Sequence, residues 1–164
     1  MSTTERHSLN SPTIPRLLTL PLNLVPESAR TIVLAQILNR VFAPELIAGE
    51  LDFLAHRVMR ITIDDARLSY RLTLVNQKLR AAPANQVEDL SIEGNTYEFL
   101  LLATRREDPD TLFFNRRLRL GGSTELGLYV KNFLDSLELE QRLGMLLTLM
   151  RGATDLLQRF GQQR

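Results

Sequence analysis

A chain of 164 residues, 44% hydrophobic and 24% charged, has the size and composition of one globular domain that buries roughly 70% of its unfolded surface. A formal net charge of +1 gives no electrostatic case for a nucleic-acid partner. The absence of cysteine excludes disulfides, thiolate catalysis and iron–sulfur ligation, and the two histidines, His7 and His56, lack the spacing of a metal site.

The first 25 residues predict a flexible or extended arm. Its apolar part, Ile14 to Val25, is interrupted by Pro15 and Pro21 and closed by Pro26. No apolar run there reaches signal-peptide length, and nowhere do about 18 apolar residues follow one another, so a cytoplasmic protein without a spanning helix is expected. A helix is predicted from Glu27 to about Phe42, with Pro26 tolerable in its first turn and Pro44 as its stop. Ile32, Val33, Leu34, Ile37, Leu38, Val41 and Phe42 spread over more than one stripe, which predicts burial on two sides. A short helical piece from Leu46 to Phe53 follows.

The period then changes from helical to two. Leu68, Tyr70, Leu72 and Leu74 alternate with Ser69, Arg71 and Thr73, as in a sheet with one wet face. Asp64-Asp65 and Asn76-Gln77 fall between apolar runs, where hairpin turns belong. A further strand is predicted from Val87 to Ile92, ending at Gly94. Asn95 then caps a helix running to about Arg106, with Glu98 completing a capping box.

Asp108-Pro109 opens another helical turn, and Arg117 to Leu120 reads as a strand with Leu118 and Leu120 on one face. Ser123 caps the next helix, in which Leu126, Tyr129, Val130, Phe133, Leu134 and Leu137 fall at i, i+3, i+4, i+7, i+8 and i+11. A last amphipathic helix is predicted within residues 141–164, carrying Leu143, Leu146, Leu147, Met150, Leu157 and Phe160 on one side. From residue 141 onward four arginines face one aspartate, so this helix has three open readings: membrane contact, lid or dimer contact. Hairpins followed by helices make the fold class α+β, a mainly antiparallel sheet of about five strands covered by helices.

The candidate chemistry is sparse. Asp64-Asp65 and the group Glu107, Asp108 and Asp110 read either as turns and caps or as acid–base pairs. Gly121-Gly122-Ser123-Thr124 lacks the lysine and the spacing of a phosphate loop; a tight turn explains it, and an anion at the helix N-terminus is the alternative. Arg116, Arg117 and Arg119 read as a solvated strand face or, for Arg116 and Arg117, as a headgroup patch. Phe113 and Phe114 are adjacent and cannot point the same way, so one belongs to the core and the other to a cavity or partner surface.

From residue 107 to 138 the chain resembles the sterol carrier protein type 2 family in its aromatic pair Phe113-Phe114, basic strand Arg117-Leu118-Arg119-Leu120, turn at Gly122 and amphipathic helix from Leu126. The string "DPDTLFFNRRL…TELGLYVKN…LELE", with "GELDFLAHR" at 49 to 57, is similar to the accessory factors of bacterial ubiquinone biosynthesis that serve the oxygen-independent route. Where that family has Gly-Asp at the turn, this chain has Gly122-Ser123, and serine caps a helix equally well.

The resemblance implies a twisted sheet and helices enclosing an apolar tunnel, with a lipid-binding domain over 26–140. It implies a non-catalytic role without a cofactor or metal: handling polyprenylated quinone precursors, transiently at the inner membrane surface. The implied partners are the iron–sulfur hydroxylase subunits and other ubiquinone biosynthesis enzymes, with a possible peripheral membrane contact and no nucleic acid. On this reading the tunnel wall is Phe113, Phe114, Leu118, Leu120, Leu126, Val130, Phe133 and Leu137, with Arg116 and Arg117 at the headgroup.

Overall fold

The computed structural model of the chain describes residues 21–138, together with Arg142, Gly144 and Thr148. Most of the N-terminal arm and of the C-terminal helix expected from sequence, including His7, lies outside the described residues.

Helix α1, Glu27–Val41, starts after Pro26 and is separated by Phe42 from the short helix α2, Ala43–Ala48. Pro44, lacking an N–H and crowding the preceding turn, prevents the two from running on as one helix. Gly49 closes α2 at φ +77°, and its N–H donates to the Glu45 and Leu46 carbonyls. A 3-10 turn, Asp52–Leu54, leads into the sheet.

Strands β1, Met59–Ile63, β2, Leu68–Val75, and β3, Lys78–Ala81, form two successive hairpins. Asn76 and Gln77, at φ 50° and 58°, make the two-residue turn with both φ positive that matches strand twist. Strand β4, Leu90–Gly94, returns parallel to β1, and β5, Arg119–Gly122, pairs antiparallel with β4, giving the order β3-β2-β1-β4-β5. Three of the four pairings are antiparallel, and the class is α+β.

Between β4 and β5 lie α3, Thr96–Ala103, and α4, Pro109–Phe114; α5, Thr124–Ser136, follows β5. The caps at Asp108 and Ser123 form as expected, accepting from the Thr111 and Leu126 amides. Gly122 is required by geometry: at φ +85°, a Cβ there would meet the Asp89 carbonyl oxygen at 2.4 Å. The neighbouring Ser123 N–H donates to that same carbonyl, so the glycine pair serves a tight turn.

The two faces of the sheet differ sharply. On the wet face Arg60 and Arg71 stand opposite one another, and Glu88 lies 3.1 Å from the first and 3.8 Å from the second, offsetting their repulsion. The line of charge continues from Arg60 to Glu93 at 3.0 Å and from Arg119 to Glu93 and Asp64. The other face carries Met59, Leu72, Leu74, Leu79, Leu90 and Ile92 into one hydrophobic cluster with Ala35, Leu46, Leu54, Leu126, Val130 and Phe133. Burying side chains of this kind contributes about 2 kcal/mol each.

Several local expectations give way to tertiary contacts. Helix α1 is buried on one side only: Ile32, Val33 and Ile37 are exposed, because β2 and β3 cover just the opposite face. The strand predicted from Val87 begins at Leu90; Asp89 instead closes against Val58, accepting from its amide and donating to its carbonyl. The capping box at α3 does not form. Asp65 accepts from the Thr96 amide and hydroxyl, each at 2.9 Å, and Glu98 turns inward. That helix ends at Ala103, and β5 begins at Arg119, two residues later than the period suggested.

Candidate functional site

Helix α5 packs against β5 and the 3-10 turn. Four aromatic rings connect there in sequence. Tyr129 stacks on Phe53 with centroids 5.6 Å apart and planes at 18°; Phe53 meets Phe133 edge-on at 6.5 Å; Phe133 meets Phe42 edge-on at 5.4 Å. Such offset and edge contacts add about 1 kcal/mol apiece to the area they bury. The row leads from the surface, where Tyr129 is half-exposed, into the core.

At the outer end of this row is a cleft of about 520 Å³, open to solvent, with Phe53, Leu126 and Tyr129 as its apolar side. Its polar rim is Glu50, Arg57, Ser123 and Glu125. Arg57 is held at 3.2 Å by Asp89. The cleft is mixed in character: three charged side chains and a hydroxyl face the three apolar ones. Among the described residues no group of His, Cys, Asp and Glu is placed to hold a metal ion. His56, at positive φ, is exposed beside Arg57.

The acidic groups serve structure. Asp64 pairs with Arg119, Asp65 caps α3 and Asp110 lies 2.8 Å from Lys131. Hydrogen bonds from Thr111 hold Asp108 below the ordinary carboxylate range, as suits a cap.

Residues 34–135, from within α1 to the end of α5, match the sequence model of the SCP-2 sterol transfer family. The chain belongs to that family. Two relatives named "Ubiquinone biosynthesis accessory factor UbiT", from Escherichia coli strain K12 and from Escherichia coli O157:H7, are each 44% identical over 127 residues, covering 77% of this chain and 72% of theirs. The solved structure of a protein described as "UbiJ-SCP2 Ubiquinone synthesis protein" superposes with a TM-score of 0.53 at 18% identity, over 67% of this chain and 90% of that one. This likeness shows the shared fold.

In this SCP-2 family member the residues singled out from sequence are divided between two hydrophobic clusters. Leu126, Val130, Phe133 and Leu137 lie in the main one, with Leu120 packed against it. Leu118 is in a second, with Leu101, Leu102 and Leu112, so the two leucines of the basic strand do not share a cluster. Phe113 packs against both clusters and joins them. Phe114 is 89% exposed and belongs to neither cluster.

Arg116 and Arg117 do not border the cleft. Arg116 is exposed at φ 55°; Arg117 folds back onto Glu107 at 2.6 Å and Glu98 at 3.6 Å, which departs from the solvated strand face expected for it. Phe42, which the sequence places among the apolar residues of the first helix, and Phe53, within the 3-10 turn, complete the row of rings, although the sequence assigns neither to the tunnel wall. Phe53 does sit inside the "GELDFLAHR" string that carries part of the family resemblance.

Proposed function

We propose that this protein is a non-catalytic, lipid-binding accessory factor of ubiquinone biosynthesis, sheltering polyprenylated precursors in an apolar tunnel beneath α5 and presenting them to pathway enzymes of the oxygen-independent route. The row Tyr129–Phe53–Phe133–Phe42 carries this reading: it extends apolar surface without a break from a solvent-facing cleft to the main cluster. The 44% identity to accessory factors named for that pathway supports the pathway.

The ligand's physical chemistry supplies the need. At about 0.8 kcal/mol per buried CH₂, a tail of roughly 40 carbons carries on the order of 30 kcal/mol of transfer energy. Such a molecule does not diffuse through water, so enzymes working on its ring require a protein that holds the tail. The wall we assign is Leu120, Leu126, Val130, Phe133 and Leu137, with Phe113 behind it. No helix among the described residues is long and apolar enough to cross a membrane.

The test is mass spectrometry of lipid co-purifying with protein made in a quinone-producing host, for the native chain and for Leu126→Trp and Val130→Trp. Polyprenylated intermediates are expected with the native chain, reduced in both variants along with pathway output. A chain that carries no lipid yet sustains full output through both substitutions would be a scaffold, not a carrier. Phospholipid in place of isoprenoid would make it a general lipid carrier.

A further inference from the structure

We infer that Arg30 receives the oxyanion of an amphiphilic ligand, a carboxylate or phosphate attached to an apolar chain; this rests on the lipid-binding reading above. Arg30 lies in the first turns of α1, its guanidinium carbon 5.9 Å from the centre of the Tyr70 ring. Its Nε and Nη1 are sequestered from solvent and neither has a hydrogen-bond partner.

Other sequestered guanidinium nitrogens occur at Arg60, Arg71 and Arg117, but each of those side chains is matched by a carboxylate. Arg30 has no carboxylate partner among the described residues. Sequestered donors on a cation without an acceptor are costly, and folded proteins rarely leave them so, even where, as here, the rest of the side chain is only half-buried. The face of Tyr70 offsets a fraction of that cost through its quadrupole. It brings no countercharge, since burial, only partly opposed by the Arg30 cation, raises the Tyr70 hydroxyl above its ordinary value.

The surroundings identify the missing acceptor as part of an amphiphile. Tyr70 lies opposite Ile61 and shares its face with Leu72 and Leu74, on the side of the sheet that builds the main cluster. Helix α1 carries Arg30 near one end and leads to Phe42, in the row of rings, at the other. Twelve residues at 1.5 Å each put them roughly 18 Å apart along the axis. An apolar chain following α1 from the rings would present its polar end to Arg30, where the two open donors are met by oxyanion lone pairs.

The experiment compares fluorescence binding of cis-parinaric acid and of its methyl ester to the full chain, in wild type, Arg30→Met and Arg30→Lys. Wild type is expected to prefer the acid by roughly tenfold to a hundredfold, the range of one or two charge-assisted hydrogen bonds. Arg30→Met loses that preference while keeping ester affinity, and Arg30→Lys retains part of it. Because Arg30→Met removes unpaired donors, its melting temperature without ligand is expected to match or exceed that of wild type; Arg30→Gln carries the same comparison if the methionine variant does not fold.

Equal affinity for acid and ester, or a preference unchanged by Arg30→Met, overturns the inference and leaves lipid binding standing. Failure of both probes to bind overturns the lipid-binding reading together with it. A rise in melting temperature with inorganic phosphate alone, lost in Arg30→Met and not reproduced by the acid, would assign Arg30 to a free anion and likewise overturn the amphiphile.

Discussion

The side-chain amide of Asn39 on α1 pairs with both backbone groups of Leu79 on β3: its Nδ2 donates to the carbonyl at 2.9 Å, and its Oδ1 accepts from the amide at 2.8 Å. Strand β3 is an edge of the sheet. Because Val75 and Lys78 close a two-residue turn, the next pair, Leu74 and Leu79, is the kind whose N–H and C=O point away from the partner strand. Asn39 therefore occupies the ladder position that another strand would take, and it protects the edge from such pairing. Asn39→Ala is expected to lower stability by about 1–3 kcal/mol, since it leaves backbone groups unpaired. Chemical denaturation measures the loss, and hydrogen exchange should show the Leu79 amide opening faster. Unchanged exchange at that amide would refute the assignment.

A second prediction concerns the buried acid Glu98, 2% exposed and with one carboxylate oxygen unpartnered. Arg117 lies between it and Glu107, with its guanidinium carbon 6.0 Å from the centre of the Tyr97 ring. Removing the cation strands a buried carboxylate, so Arg117→Met should cost about 3–5 kcal/mol. Combining it with Glu98→Leu should restore most of the loss, because the charge needing a partner is then absent. A double variant no more stable than the single one would show that Arg117 acts through packing alone.

Phe113 and Phe114 make an internal control. Phe113 packs between the two clusters and Phe114 faces solvent. Phe113→Ala is expected to destabilise by about 3 kcal/mol, and Phe114→Ala by less than about 0.5 kcal/mol. Thermal melts of both variants, recorded side by side, decide whether the aromatic pair divides between core and surface in this way.

The contact between Glu45 and Arg142 gives a pH signature. Burial raises the Glu45 pKa, but the hydrogen bonds and charge of Arg142, 2.5 Å away, together with the Glu45 backbone, outweigh it and leave it below the ordinary value. A carboxylate with its folded pKa depressed contributes stability that is present above the unfolded value, about 4.3, and lost as pH falls through the folded one. Melting temperature should therefore decline as pH falls below about 5, and Glu45→Gln should flatten part of that decline. Equal slopes for the two proteins would show that the pair contributes nothing to folding.

Local signals were legible wherever a residue's partner lies within a few positions. The turn at Asn76-Gln77, the caps at Asp108 and Ser123 and the stripe from Leu126 to Phe133 all depend on neighbours in sequence, and all form. Glu98 shows the limit. Its spacing from Asn95 satisfies a local rule, yet Asp65, 31 residues from Thr96, takes the cap and leaves Glu98 to Arg117. The main cluster divides in the same way: α5 contributes Leu126, Val130 and Phe133 from a readable stripe, while Phe42 and Phe53 meet Phe133 only through packing.

The amino-acid order by itself determined the elements and the outward or inward sense of most of them, because period, caps and proline stops act over a single turn or hairpin. Which cations are matched and which face of α1 is covered was decided only by the tertiary structure. Those outcomes depend on groups tens of residues away, such as Asp89 for Val58 and Asn39 for Leu79, and distances between them exist only once the chain has folded.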